Sequence, residues 1–254
     1  MGDNTHDLTG TTYEHVQLKD ARFTWLDLSG VRIRQADLHG VRMRGVELFD
    51  VEIDGELRDV VINGVDVAPL VEAELARRDP DYAMTKPRDA DGFREAWDML
   101  ERRWAGTVQQ ARALEPDLLH ERVDGEWSFI ETLRHLCYAT DAWVNRVYLG
   151  DPDPWHPLDL PFDTPEPLPW PFETDVRPSL DEVLEVRADR QRTVRRVLAG
   201  LSDADLAGHT TPVEGDGWPP ADRYPVGKAL SIVVNEEWHH RRYAERDLAA
   251  LASR

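Results

Sequence analysis

The segment SIVVNEEWHHRRYAERDL, residues 231–248, crowds ionisable side chains into the middle of a predicted helix. Residues four apart share a helix face. Glu236 and His240 therefore form one pair, and Asn235 and His239 form another, rotated by about 100°. A carboxylate and an imidazole on one face are either a solvated surface pair or two ligands of a metal ion.

A metal site between helices needs ligands from facing helices, because one such pair supplies two ligands. The segment WSFIETLRHLCY offers His135, which lies among apolar residues of another predicted helix. Three protein ligands and one open position are typical of catalytic Zn²⁺, and the same donors suit Fe²⁺ or Ni²⁺. The alternative is a hydrogen-bonded core histidine beside a surface Glu–His pair. Cys137, on another face of the helix, is interpreted as a core residue.

The elements that must position these residues are predicted from apolar spacing. From Asp89 onward, apolar residues recur at intervals of three and four, which predicts four helices. Two of them open with a Ser-x-x-Glu capping box, at 128–131 and 179–182. Amphipathic helices of this length bury their apolar stripes against each other, so a four-helix bundle is expected. Two long loops carry Trp155, Trp170 and Trp218 and are interpreted as lids.

The N-terminal region has a different period. Written in fives it reads ARFTW LDLSG VRIRQ ADLHG VRMRG VELFD VEIDG, with an apolar third residue in every block. A period of five fits neither a helix nor a strand. The region resembles the pentapeptide-repeat family, whose fold is a right-handed quadrilateral β-helix; an irregular β-meander is the alternative. We therefore expect an α+β protein, with a short pentapeptide-repeat β-helix at 10–67, a capping helix at about 68–78, and a bundle at 89–252.

Three segments together, GEWSFIETLRHL, WHPLDLPF and VVNEEWHHRRYAERDL, resemble the DinB-like superfamily. The resemblance covers residues 89–252 and implies a DinB-like four-helix bundle that holds a divalent metal. The ligands it implies are His135, Glu236 and His240, with His239 as an alternative, and Zn is expected ahead of Fe or Ni. The chain lacks a His-x3-His pair. Its Glu-x3-His matches the branch of mycothiol-dependent maleylpyruvate isomerases.

Thiol chemistry is what this resemblance implies. The expected enzyme is a metal-dependent transferase that joins a low-molecular-weight thiol of the mycothiol type to an electrophile. A metal-dependent hydrolase and a non-catalytic, acidic pentapeptide-repeat adaptor are the alternatives. The substrate pocket is expected one turn from the ligands, near Tyr138, Ala139, Val233 and Tyr243, with His156 approaching from its loop.

Composition restricts the partners. The formal net charge of −19 repels phosphate backbones and anionic lipid, so nucleic acid and membrane surfaces are not expected partners. The chain has no apolar run long enough to span a bilayer. One cysteine and no recognisable signal peptide indicate a reducing, cytoplasmic setting. The expected partners are a small thiol and an electrophile, and a homodimer is left open.

Overall fold

The computed structural model describes residues 7–34, 36–162, 170, 172–215 and 217–254. The chain divides into two compact units, Met1–Ala68 and Pro69–Arg254. Most of the regular structure is helical, and the described residues contain one two-stranded sheet. Within the same residues, no helix combines the length and apolar character that a membrane crossing requires.

The five-residue period of the first unit sets its local turn geometry. A residue with positive φ recurs every fifth position, as at His15, Asp20 and Trp25. A turn hydrogen bond recurs every tenth position, beginning with the amide of Thr11 and the carbonyl of Leu8. This is the pattern of repeated β-turns, whose left-handed residue lets the chain change direction.

The expected quadrilateral β-helix is not shown by the described residues. The apolar residues at the centre of each repeat, from Leu8 to Ile53, are 48–67% exposed instead of turned inward. The strands of the unit are a short antiparallel hairpin, β1 (Val61–Ile62) and β2 (Val65–Asp66). Turn geometry is local, whereas burial of the repeat centres requires coils that close and stack on each other. Only the local part is visible here.

The second unit is built from helices. They are α1 (Ala68–Arg78, which begins at the unit boundary), α2 (Ala90–Arg112), α3 (Phe129–Thr140), α4 (Leu180–Gly200), α5 (Asp203–Leu206) and α6 (Val226–Ala252). Short 3-10 turns lie at Pro80–Thr85 and Pro116–His120. Both predicted capping boxes, at Ser128 and Ser179, are confirmed. The helix of α3 continues through a π-helical segment, Asp141–Tyr148, and the chain then turns at Gly150, where φ is +80°.

Two apolar clusters hold the long helices together. The first joins α2, the end of α4 and α6, and the second joins α2, α3, the start of α4 and the end of α6. Burying such side chains contributes about 1.5–3 kcal/mol each to folding. Members of the two clusters include Phe93, Trp97, Leu100, Val197, Val234 and Trp238, and Leu133, Leu136, Val183 and Leu248. This packing fixes α3 beside α6, which carry His135 and the Glu236–His240 pair.

Two buried arginines attach the long loops to the α3 helix and its π-helical continuation. Arg134 donates from Nε to the carbonyl of Leu158 at 2.8 Å and from Nη2 to the carbonyl of Glu173. Arg146 donates to the carbonyls of Pro152 and Gly215, both at 3.0 Å. Each of the two arginine residues is about 1% exposed. Because these bonds go to main-chain oxygens, they hold the course of the loops directly.

Candidate metal centre

Three side chains from two helices converge on one point. His135 on α3 and Glu236 and His240 on α6 each offer a ligand atom, and these atoms lie within 4.8 Å of one another. The distance from His135 Nε2 to Glu236 Oε2 is 3.4 Å, and that from His240 Nε2 to the same oxygen is 3.0 Å. Two imidazoles and one carboxylate are a donor set that divalent zinc, iron and nickel accept.

The orientation of His135 leaves its Nε2 lone pair directed at this cluster. Its Nδ1 lies 3.0 Å from the carbonyl of Leu160, a group that can only accept a hydrogen bond. The proton of a neutral ring therefore lies on Nδ1. In metal sites, a backbone carbonyl commonly accepts the N–H of one ring nitrogen of a histidine and so orients the other nitrogen toward the metal.

Burial and neighbouring groups set the charge of His135 and Glu236. Desolvation lowers the pKa of His135 more than the neighbouring Glu236 raises it, so the ring is held neutral. Burial alone would raise the pKa of Glu236, but the two imidazoles beside its carboxylate, those of His135 and His240, outweigh burial and lower that pKa. A neutral imidazole and an ionised carboxylate are the protonation states in which these side chains bind metals.

The two other ionisable residues between Glu236 and His240, namely Glu237 and His239, do not point to the cluster. Glu237 is 2% exposed and pairs with the buried Arg187 of α4, from Nη1 to Oε1 at 3.0 Å. The Arg187 guanidinium also lies 4.7 Å above the ring of Trp104. His239, the alternative ligand, is not part of the cluster within the described residues and lies beside Tyr243 at 6.3 Å between ring centres.

Trp127, which precedes the cap of α3, covers the histidines. Its ring centre lies 4.4 Å from that of His135, and it stacks on His240 at 5.7 Å with an interplanar angle of 21°. Trp127 was not predicted as a site residue from the sequence. Its position immediately before a capping box, about two helical turns before His135, was the available signal. A large apolar ring on one side of a ligand cluster excludes water from that side.

A cavity of about 350 Å³ opens beside the cluster. His135 and Glu236 lie in its wall, and the other lining residues among those that the structure describes are aromatic or aliphatic. Those residues are Tyr138, Ala139, Ala142, Trp143, Phe162, Trp218 and Ile232. Burial raises the pKa of Tyr138, so its phenol stays uncharged. The cavity has the size and the mostly apolar lining of a small-molecule site.

Two of the five residues expected at the pocket line the cavity, and three do not. Tyr138 and Ala139 line the cavity, whereas Val233, Tyr243 and His156 are not among its lining residues. Val233 is buried in the first apolar cluster. Tyr243 contacts the ring of His240 edge-on at 6.0 Å. The amide of His156 donates to Asp159 at 2.9 Å, and its Nδ1 accepts from the amide of Leu158, so this histidine shapes its own loop.

Both long loops bring aromatic rings to the cavity. Trp155 stacks on Tyr138 at 5.4 Å, and Trp170 lies 4.8 Å from Trp155. From the second loop, Trp218 meets Phe162 edge-on at 5.3 Å. Phe162 and Trp218 thus form the part of the wall that the loops supply. Trp143 and Ile232 were not selected from sequence, although Ile232 lies four residues before Glu236 and so shares its face.

Comparison with known families places this site in context. The model of the DinB superfamily matches residues 99–244, which is more than half of the chain and includes both helices that carry the cluster. The chain belongs to the DinB superfamily. Eight copies of the pentapeptide repeat match residues 7–51. Both resemblances stated from the sequence are therefore confirmed. No curated protein and no solved structure matches the chain.

DinB domains are known to bind metals, and this DinB domain contains a His–Glu–His cluster at the position where its α3 and α6 meet. Family and cluster together indicate a divalent-metal site. Cys137 does not compete for a role there, because it is buried and its burial strongly raises the pKa of its thiol. A protonated, inaccessible thiol is neither a ligand nor a nucleophile.

Proposed function

We propose that this protein is a divalent-metal-dependent DinB-type enzyme that joins a low-molecular-weight thiol, of the mycothiol type, to an electrophile. Helices α2, α3, α4 and α6 would form its DinB-like four-helix bundle. His135, Glu236 and His240 would hold the ion, for which Zn²⁺ is our first choice. The observation that carries the proposal is the convergence of three ligand atoms within 4.8 Å beside a cavity of about 350 Å³.

The donor set fits such an ion. The Nδ1 proton of His135 is bonded to the Leu160 carbonyl, so Nε2 is free to ligate. With three protein ligands a tetrahedral ion keeps one position for a substrate atom, which is the arrangement of catalytic zinc sites. Glu236 balances one of the two positive charges, so the loaded site would keep a net charge of about +1.

The chain's own contribution to the reaction is placement and exclusion of water. A bound divalent ion supplies the positive charge that lowers the pKa of a thiol beside it. The walls around Tyr138 and Trp218 hold the electrophile within reach and keep the dielectric low. In the transfer, a new S–C bond forms, the bond from that carbon to its leaving group breaks with the electron pair, and the thiol proton passes to solvent.

The test compares two adjacent glutamates under the same substitution. Glu236→Gln is expected to reduce metal content, measured by elemental analysis of untagged protein, and to abolish thiol conjugation with it. Glu237→Gln is the matched control. It weakens the buried pair with Arg187 and should cost about 3 kcal/mol of stability, but the folded protein should keep its metal and its activity.

Three results would contradict the proposal. One is full metal content in a His135→Ala, His240→Ala double variant. Another is conjugation that continues after complete removal of metal. The third is a metal-loaded protein that conjugates no thiol to a broad panel of electrophiles; hydrolysis of those compounds instead would favour the hydrolase alternative.

A further inference from the structure

The wall of the cavity beside the ligand cluster has a definite chemical character. Among the described residues that line it, the ionisable ones are Tyr138, whose phenol is uncharged, His135 and Glu236. We call the part of the wall formed by His135 and Glu236 the metal end. No lysine or arginine belongs to the lining of this described cavity. The remaining wall is made by the aromatic rings and the small aliphatic side chains of Ala139, Ala142 and Ile232.

Three arginines of α3, its π-helical continuation and α4 already have partners. Arg134 and Arg146 donate to loop carbonyls, and Arg190 donates to Asp141 at 2.6 Å. Drawing any of them toward a substrate anion would break these bonds and leave carbonyl or carboxylate oxygens unpaired in a buried place. That loss costs about 1–3 kcal/mol for each group. An anionic group directed away from His135 and Glu236 would therefore find no counter-charge among the described residues of the cavity wall.

Size limits the ligand as well. A cavity of about 150 Å³ holds one benzene ring, so the volume of about 350 Å³ accommodates one or two fused rings. Aromatic rings prefer edge-to-face or offset contact with other rings, worth about 0.5–1.5 kcal/mol per pair. Phe162 and Trp218, which meet edge-on at 5.3 Å, offer such contacts on the side supplied by the loops.

We propose that this cavity binds an uncharged aromatic group of one or two rings, and that it excludes compounds of the same size whose anionic group is directed away from His135 and Glu236. Assigning that group to the electrophile rests on the proposed function; the binding itself does not. A positive charge on the ligand is disfavoured too, because the loaded metal end keeps a net charge of about +1. The substrate class that follows is an aryl electrophile without a carboxylate on its ring.

The backbone of the second long loop holds Trp218 in its place in the cavity wall. Gly217, the preceding residue, lies so close to the buried Arg146 that a Cβ there would be 2.3 Å from the guanidinium carbon. Arg146 in turn donates to the carbonyls of Val213 and Gly215 in the same loop. Trp218 is thus held by the loop backbone, although its own side chain is 40% exposed.

Calorimetric titration of the metal-loaded full-length protein with two unreactive probes, in the absence of thiol, tests the proposal. The probes are 2-acetonaphthone, which is uncharged, and naphthalene-2-sulfonate, an anion of the same ring size that coordinates metals weakly. The ketone is expected to bind at least about tenfold more tightly than the sulfonate. Equal binding of the two probes, tighter binding of the sulfonate, or no binding of the ketone would overturn the proposal.

A charge placed in the wall should change this preference. Ile232→Lys puts an ammonium into the lining and is expected to strengthen sulfonate binding about tenfold. Asn235→Lys adds the same charge to the same helix outside the lining and should change the ratio less than about twofold. If Ile232→Lys does not fold, Trp218→Ala replaces it, with ketone binding weakened about three- to tenfold. An unchanged probe ratio in folded Ile232→Lys, or unchanged ketone binding in Trp218→Ala, counts against the proposal.

Failure of this inference and failure of the proposed function are distinguishable. A protein that holds no metal but binds the ketone selectively would refute the function and retain the cavity assignment. A metal-dependent thiol transferase that binds neither probe, or prefers the sulfonate, would retain the function and refute the cavity assignment.

Discussion

At the scale of single residues, charge and burial separate side chains that are neighbours in sequence. Glu236 points to two histidines and lies in a cavity wall, whereas Glu237 is sealed against Arg187. The 100° between successive residues of a helix places the two carboxylates on different faces. One face of α6 therefore contributes Glu236 and His240 to the cluster with His135, and the adjacent face contacts α4 through Glu237.

A second pair of carboxylates is buried where the first long loop meets the α3 helix. Asp141 accepts from Arg190 at 2.6 Å, and Asp159 accepts from the amide of His156 at 2.9 Å. Both carboxylates are 0% exposed. Burial, and then the charge of Asp141, raise the pKa of Asp159 to about 9. Asp159 is thus a protonated acid at neutral pH and can donate to Asp141, whose own pKa burial also raises.

The first prediction concerns stability against pH. Between pH 4 and 9 the folded chain keeps a proton on Asp159 that the unfolded chain has released, so a rise in pH lowers the free energy of unfolding. Asp159→Asn retains the hydrogen bonds without this proton. The stability of the variant relative to the parent should increase by at least about 1 kcal/mol from pH 5 to pH 9, measured by urea unfolding at each pH.

Asp153→Asn is the control for this series, because Asp153 lies in the same loop and is exposed. Its stability relative to the parent should not change with pH over the same range. A pH-independent difference between Asp159→Asn and the parent would show that Asp159 is ionised in the folded protein.

At the scale of elements, hydrogen bonds from two arginines hold the long loops in position. Both arginines lie on the helix formed by α3 and its π-helical continuation. Arg134 and Arg146 reach out to loop carbonyls, and the loops return the contact: the Leu160 carbonyl holds His135, and Trp218 completes the cavity wall. The helix, the loops and the ligand cluster therefore support one another. Displacing a loop should disturb the site even when no ligand is changed.

The second prediction follows from the close approach of Gly217 to Arg146. Gly217→Ala forces the new methyl group against a guanidinium that is fixed by three carbonyls. Either these hydrogen bonds or the loop must give, at a cost of about 1–3 kcal/mol. The melting temperature should fall by several degrees, and the aromatic probe should bind more weakly.

Gly106→Ala provides the comparison for the same chemical change. Gly106 lies on the exposed side of α2, where an added Cβ meets nothing within 4 Å. Alanine is favoured over glycine in a helix by about 1 kcal/mol, so this variant should be at least as stable as the parent. If the two variants have the same melting temperature, the close approach of Gly217 to Arg146 does not contribute to stability.

At the scale of the whole molecule, an ion at the cluster would join α3 to α6 by direct bonds. Such an ion binds the folded state and stabilises it in proportion to its affinity and concentration. The third prediction is that a chelator lowers the melting temperature by several degrees, and that Zn²⁺ restores it. At a thousandfold excess over the dissociation constant the stabilisation reaches about 4 kcal/mol. The His135→Ala, His240→Ala variant should not respond to either treatment, in scanning calorimetry at fixed protein concentration.

Much of the helical unit could be predicted from the sequence. Apolar spacing and the boxes at Ser128 and Ser179 locate helix starts, because capping and amphipathic burial act over one or two turns. The same locality made the Glu236–His240 pair visible. The five-residue period recurs in the turns of the first unit, but the β-helix that it predicted, with apolar residues turned inward, is not shown by the described residues.

Only the tertiary structure decided which neighbours those residues meet. Assigning Glu237 to Arg187, the Nδ1 of His135 to the Leu160 carbonyl, and Phe162 and Trp218 to one cavity wall requires contacts between residues far apart in the chain. Such contacts depend on how whole helices and loops pack, and no local spacing encodes them. The sequence by itself determined the helices and the candidate ligands. The packing determined that three of those candidate side chains meet, and that the described wall of the cavity beside them is mostly apolar.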